Sequence, residues 1–308
     1  MLKYAGKRIL MIIPTLILII AIIFVILSFI PSSPGRIILG MNAKEEQVIA
    51  LNEQLGWYDS LPVKFIKYLK GIFLEGDFGD SYKHSVPVFD LLLPKFGVTA
   101  LLALLACAVS ALVGIPSGIL SAVKKHSVAD GVTTVLAMLL GSVPSFFLGV
   151  LMILIFSLRL GWLPSNGIKD WTGYIMPVLT LALPSAAYLS RMTRTTMLEA
   201  LEQDYIRTAR AKGCKPSRII FRHALRNALM PVVTQLGMSF AGLLGGAMIT
   251  EQVFGLPGFS ESILSAIQSK DVPVIMGSTI FIAAMFMVVM LVVDLLYAVL
   301  DPRVGAKY

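Results

Sequence analysis

Six stretches of 20 to 28 residues contain no Lys, Arg, Asp or Glu: Ile9–Ile30, Val98–Val123, Gly131–Leu158, Trp171–Ser190, Asn227–Thr250 and Val272–Val293. A helix rises 1.5 Å per residue, so about 20 apolar residues cross a hydrocarbon core of about 30 Å. With lipid on every side, each backbone N–H and C=O must be bonded within the segment. The sequence therefore predicts an all-α polytopic membrane protein of about six transmembrane helices. Composition agrees, since only 14% of the 308 residues are charged, against roughly a quarter in a soluble domain. Pro144, Pro177, Pro184 and Pro231 are expected to kink or restart helices. The first apolar run follows Lys3, Lys7 and Arg8, exceeds the core of a signal peptide and is followed by no A-x-A site. It is expected to remain as a span.

Charge between the spans predicts orientation. With the N-terminus inside, the inner segments carry 16 of the 26 basic residues and five of the 18 acids. Both termini are thus expected in the cytoplasm. The basic excess does not describe a nucleic-acid binder, because the cations flank apolar runs instead of forming a soluble face. Cys107 and Cys214 stand far apart and form neither a disulfide framework nor a metal spacing. His84, His126 and His223 fall in separate loops without an HExxH pattern, which gives an intramembrane enzyme no catalytic constellation. No GxxxxGK[ST] phosphate loop is present. A proton-coupled carrier would need a titratable relay deep in its spans, and the charge-free runs offer none; a stand-alone channel or secondary transporter is the alternative reading and would need its own ion or proton site.

Two loops are long. Residues 31 to 97 form an external lobe with helical patterns near 44–55 and 62–74. The segment from Glu251 to Pro273 is external and rich in turn residues, among them Phe254, Pro257 and Gly258. A further connection, 191 to 226, is expected to be cytoplasmic and is long and patterned. A helix is expected from Glu199 to Lys212, ended by Gly213, with acids at its start and Arg210 and Lys212 at its end. A second runs from Ser217 to Asn227, with Arg218, Arg222 and Arg226 on one face, placed to reach anionic headgroups. In the spans, Thr234, Gln235 and Ser239 are polar, Gly242 and Gly246 allow close helix approach, and Ser142-Val-Pro144-Ser145 can break helical regularity.

The run Asp204-Tyr-Ile-Arg-Thr-Ala-Arg-Ala-Lys-Gly213, followed by Arg222-His-Ala-Leu-Arg-Asn-Ala-Leu-Met-Pro231, resembles the cytoplasmic loop of the dipeptide/oligopeptide/nickel permeases of binding-protein-dependent ABC importers. Leu55-Gly56, Leu61-Pro-Val63 and Gly76-Asp-Phe-Gly79 resemble that family's first external loop. Glu251-x-Val-Phe254 with Pro257-Gly258 resembles its last one, and Asp294-Leu-Leu-Tyr297 with Asp301-Pro-Arg303 its C-terminal end. Against the wider EAA-x-x-x-G loop of ABC importers, Ala209 and Gly213 match, whereas Arg207 and Thr208 stand where Glu and Ala would be.

The resemblance implies a type I ABC importer permease fold: residues 1–96 as first helix plus external lobe, 97–301 as the five-helix core containing the loop 191–226, and 302–308 as a cytoplasmic tail. It implies import of short peptides, or of nickel or another metal chelate by the same machinery, across a bacterial or archaeal cytoplasmic membrane. Implied partners are a second homologous permease, two cytoplasmic ATPases that use ATP and Mg, and an extracytoplasmic binding protein. No cofactor or metal is expected on this chain. Glu202, Asp204, Tyr205, Ile206, Arg207, Thr208, Ala209, Arg210, Ala211, Lys212 and Gly213 would form the coupling helix, with Tyr205 and Ile206 as an apolar anchor for the ATPase. Ser142, Pro144, Gln235 and Ser239 are candidate pathway residues; Phe254, Pro257 and Gly258 are a candidate external gate.

Overall fold

The computed structural model describes residues 2–30 and 33–300. The Asp301-Pro-Arg303 motif and the tail lie outside the described residues, as do the side chains of Lys3, Lys7, Arg8 and Tyr297 and the surroundings of Gly246. Fourteen α-helical segments among the described residues follow one another without a named strand. Five helices are long and apolar enough to cross a membrane: Leu10–Ser28, Val88–Val123, Trp171–Leu201, Pro216–Gly245 and Val272–Leu295. A bent pair, Val128–Ser142 and Ser145–Arg159, with a bend of 97° between its halves, brings the number of candidate spans among the described residues to six if the pair counts as one.

In chain order, α1 (Leu2–Ser28) leads into a lobe of α2 (Pro34–Leu39), α3 (Glu45–Gln54) and α4 (Leu61–Lys70), the last continued by a π-helical turn through Glu75. Then come α5 (Val88–Val123), α6 (Val128–Ser142), α7 (Ser145–Met152) with its π-helical extension to Arg159, and α8 (Ile175–Leu201). Next are α9 (Asp204–Ala211), α10 (Pro216–Arg218) with a π-helical turn Ile219–Ala224, and α11 (Leu225–Gly246). The chain closes with α12 (Met248–Val253), α13 (Phe259–Ser269) and α14 (Val272–Leu300).

The break between α6 and α7 has a local cause. A residue preceding proline is pushed from the helical to the extended region, and Val143 sits at φ −81°, ψ 125° before Pro144. The Ser142 hydroxyl bonds back to the Met138 carbonyl at 2.8 Å, satisfying one end-group. Pro184 and Pro231, by contrast, lie inside α8 and α11 without ending them.

The chain divides into two compact units. One comprises 99–256 with the end of α14, the other 2–98 with 257–288. In the first, Leu102, Ala106, Met152, Met176, Leu181 and Phe254 form the largest buried cluster. Here α5 lies hard against α8: a Cβ at Gly114 would sit 2.7 Å from the Ala186 carbonyl oxygen, and one at Gly118 2.5 Å from that of Ser190. Small residues four apart allow this approach. The close-packing pair is therefore Gly114 and Gly118. At Gly242, the described half of the expected Gly242/Gly246 pair, a Cβ meets open space within this chain.

The second unit is held by an aromatic cluster of Phe78, Phe89, Phe96, Phe259 and Phe281, with centroid separations of 4.8 to 6.0 Å. Beside it, the Asp271 carboxylate, 1% exposed, accepts from the Ser81 hydroxyl (2.6 Å) and the backbone N–H groups of Tyr82 (3.1 Å) and Lys83 (3.2 Å). A buried carboxylate with three donors is satisfied, which fixes the end of the lobe that follows α1 to the start of α14.

Candidate coupling helix and pathway residues

The basic segment 191–226 is mostly an extension of membrane helices. Arg191 and Arg194 do not end α8, which runs on to Leu201. Arg194 can be accommodated because its Nε and Nη2 donate to the two oxygens of Asp130 at 2.7 and 2.9 Å. Asp130, buried at the start of α6, also accepts from the Ser121 hydroxyl and the His126 N–H. This pairing ties α6 to α8 where both leave the apolar region. The far side is similar: Pro216 starts a helical path that continues without a gap into α11.

Between these extensions stands α9. The single helix expected from Glu199 to Lys212 is broken, because Gln203 leaves the helical region at φ −71°, ψ 151° and α9 restarts at Asp204. Glu202 is therefore the C-cap of α8 and lies 3.7 Å from Lys125. Gly213 sits at φ +74°, the left-handed geometry that favours glycine. The N–H of Gly213 bonds the Arg210 carbonyl at 2.9 Å, and the N–H of Cys214 bonds the Ala209 carbonyl at 3.1 Å, closing the helix end.

Two positions three apart fasten α9 to its own chain. Ile206 is 0% exposed and joins Ala209 against Met197 and Ala200 of α8, Ile219 and Ala224 of the return, and Ala228 of α11. Burying an isoleucine is worth about 1.5–3 kcal/mol. The expectation that Ile206 is half of an external apolar anchor is thus corrected: its side chain is spent on this chain. Tyr205 stays at the surface, 40% exposed. Asp204, Arg207, Thr208, Arg210, Ala211, Lys212 and Gly213 are exposed beside it, with Asp204 and Arg207 3.5 Å apart. The outward face of α9 is one tyrosine in a polar, mainly cationic surround.

Of the candidate pathway residues, Ser142 and Pro144 are exposed at the α6–α7 break, while Gln235 and Ser239 are half-buried on α11. The Gln235 Nε2 donates to the Ser239 hydroxyl at 3.3 Å, one turn along the same helix. The candidate gate residues differ among themselves. Phe254 is 2% exposed within the largest cluster, and its carbonyl accepts from the N–H of Gly167 at 2.9 Å. It is a core residue in this conformation. Pro257 is exposed, and Gly258 is the N-cap of α13. Sequence reasoning placed Glu251 in the Glu251-x-Val-Phe254 motif, named no partner for it and assigned no part to Thr99. Glu251 is 1% exposed, and the Thr99 hydroxyl donates to its Oε1 at 2.5 Å. The charge-free runs hid this pair, because Glu251 begins the residue after one of them.

Comparisons with known proteins agree with this architecture. Residues 114–306 match the model of the binding-protein-dependent transport system inner membrane component, and residues 1–103 match that family's N-terminal membrane component. The chain is 38% identical over 307 residues to the glutathione transport system permease protein GsiC of Salmonella choleraesuis (strain SC-B67), covering 100% of both chains. It is 38% identical to GsiC of Pectobacterium atrosepticum and 36% to GsiC of Escherichia coli (strain K12), each again over all of both chains. Among solved structures, the inward-facing MetNI methionine ABC transporter aligns with a TM-score of 0.57 at 18% identity, covering 69% of this chain and 97% of the other. An amino acid ABC transporter with histidines aligns at a TM-score of 0.51 and 19% identity, covering 70% and 94%. The type I importer fold expected from the motifs is therefore present, and the chain belongs to the binding-protein-dependent transport system inner membrane components, the membrane permeases of ABC importers.

Proposed function

We propose that this permease imports short peptides, with its termini and α9 on the cytoplasmic side and α9 seated on one of two ATPase subunits. The observation that carries the coupling role is the two-sidedness of α9. Ile206 and Ala209 fix it to α8 and α11 together, while Tyr205, Arg207, Arg210 and Lys212 are exposed at its surface. An aromatic residue within a polar rim is the usual anatomy of an interface core. Displacing α9 displaces two membrane helices, the mechanical requirement for rocking between inward-open and outward-open states. ATP and Mg are handled by the ATPases. A second homologous permease completes the pathway, to which Ser142, Pro144, Gln235 and Ser239 contribute polar groups, and an external binding protein delivers the substrate. Pro257 and Gly258 belong to the external segment facing it. Peptide cargo is supported by the relatives' names, since glutathione is itself a short peptide.

The test is reconstitution. The chain, its partner permease, the ATPases and the binding protein are placed in proteoliposomes with ATP inside, and uptake of labelled glutathione and dipeptides is followed. ATP-dependent peptide uptake is expected. Uptake that continues without the ATPases, or uptake of nickel but no peptide, overturns the reading. Orientation has its own readout: Cys214 is expected to resist an impermeant thiol reagent in intact cells and to react after permeabilisation.

A further inference from the structure

The second compact unit contains a cavity of about 680 Å³ that the transport reading leaves unused. Its floor comes from the last turn of α1 (Phe24, Leu27, Ser28) and the first turn of α14 (Val272, Pro273, Met276). Two apolar spans ending at one cavity place it at a boundary between hydrocarbon and water. Its roof comes from the external lobe, through Ile38, Trp57, Lys64, Lys67, Tyr68 and Tyr82. Phe24 of α1 packs on Phe65 of α4 at 5.3 Å between centroids, so the lobe rests on the span. The volume lies within the range of small-ligand sites.

The roof chemistry is selective. Lys67 is occupied by Asp59 at 2.6 Å. Lys64 lies over the Trp57 ring, 4.5 Å from its centroid. The Tyr68 hydroxyl is buried and has no hydrogen-bond partner, a costly arrangement unless something in the cavity accepts its proton. Burial pushes the Tyr68 hydroxyl well above the usual phenol range, and that of Tyr82 to about 12, so both stay neutral donors. An apolar floor at a membrane boundary under an ammonium and an orphaned phenol donor suits a phosphodiester carrying acyl chains.

We propose that this cavity is a phospholipid site, with the lipid phosphate taken by Lys64 and Tyr68 and the proximal acyl chain lying against Phe24, Leu27 and Met276. The lipid wedges the lobe onto the ends of α1 and α14. The test uses the assembled importer in nanodiscs of phosphatidylethanolamine doped with a diazirine-bearing phosphatidylethanolamine, with cross-linked peptides mapped by mass spectrometry. Labelling is expected to concentrate in 57–68 and 272–276. It is expected to fall by at least about tenfold in Lys64→Gln/Tyr68→Phe, since even one lost hydrogen bond to a charged group is on that scale, while labelling of the Leu10–Leu18 surface stays constant. Ile38→Trp, which fills the cavity from its edge and leaves both polar groups in place, is expected to lower the same labelling. Labelling that is no greater there than elsewhere, or that both variants leave unchanged, overturns the proposal. Displacement of the photolipid by equimolar glycerophosphoethanolamine also overturns it, since a soluble phosphoester would then be the ligand.

Discussion

At the scale of single residues, the informative positions are those where one atom more or less decides the packing. A methyl group at Gly118 has no room beside the Ser190 carbonyl, and one at Gly114 none beside Ala186. Overpacking of this kind costs about 1–3 kcal/mol. Gly118→Val is therefore expected to lower the melting temperature of the purified permease clearly, whereas Gly242→Ala leaves it unchanged, as followed by thermal unfolding in detergent. Equal effects of the two would remove Gly118 from its packing role. Gly213 is limited by its backbone, since its left-handed φ of +74° costs an ordinary residue about 1–2 kcal/mol. Gly213→Asn should retain more substrate-stimulated ATP hydrolysis than Gly213→Val, because asparagine tolerates that region and a β-branched residue does not. A reversed order would mean that the turn at Gly213 does not govern coupling.

At the scale of elements, length and charge made the spans legible, and a proline made the one break legible. What stayed hidden depended on neighbours. The charge-free run ends at Ser190 where Arg191 follows, yet Asp130, 64 residues from Arg194, neutralises Arg194 and the helix continues to Leu201. Gly114 and Gly118 have the same spacing as Gly242 and Gly246, and only the position of α8 tells that the first two are pressed against a backbone. Tyr205 and Ile206 are adjacent and both apolar in pattern, and the cluster around Met197 and Ile219 decides which one turns inward. The α6–α7 break lends itself to measurement. Spin labels at Val135 and Leu154 would be about 28 Å apart along a continuous helix and roughly 19 Å apart around a 97° bend, at 1.5 Å per residue. The native pair is expected at the shorter distance. Pro144→Ala, which relieves the constraint on Val143, should broaden the distribution toward the longer one; no change would mean that packing, not proline, sets the angle.

At the scale of the whole molecule, the proposed coupling role would set α9 two demands that conflict in a simple loop: presenting a face to a partner and transmitting force without yielding. The two demands fall on different residues, so they can be broken separately. Tyr205→Ala removes the aromatic at the surface while leaving Ile206 and Ala209 in place, and should weaken ATPase binding and transport together. Ile206→Ala leaves the outward face intact but removes about 2–5 kcal/mol of packing under it. The knob is then docked on a loosened mount. ATP hydrolysis by the assembled complex should persist while peptide imported per ATP falls by about tenfold, within the range of coupling free energies of 1–3 kcal/mol. Simultaneous measurement of phosphate release and peptide uptake in proteoliposomes separates the two variants. If Ile206→Ala lowered both in proportion, α9 would act only as a docking site, and force would have to reach α8 and α11 by another route.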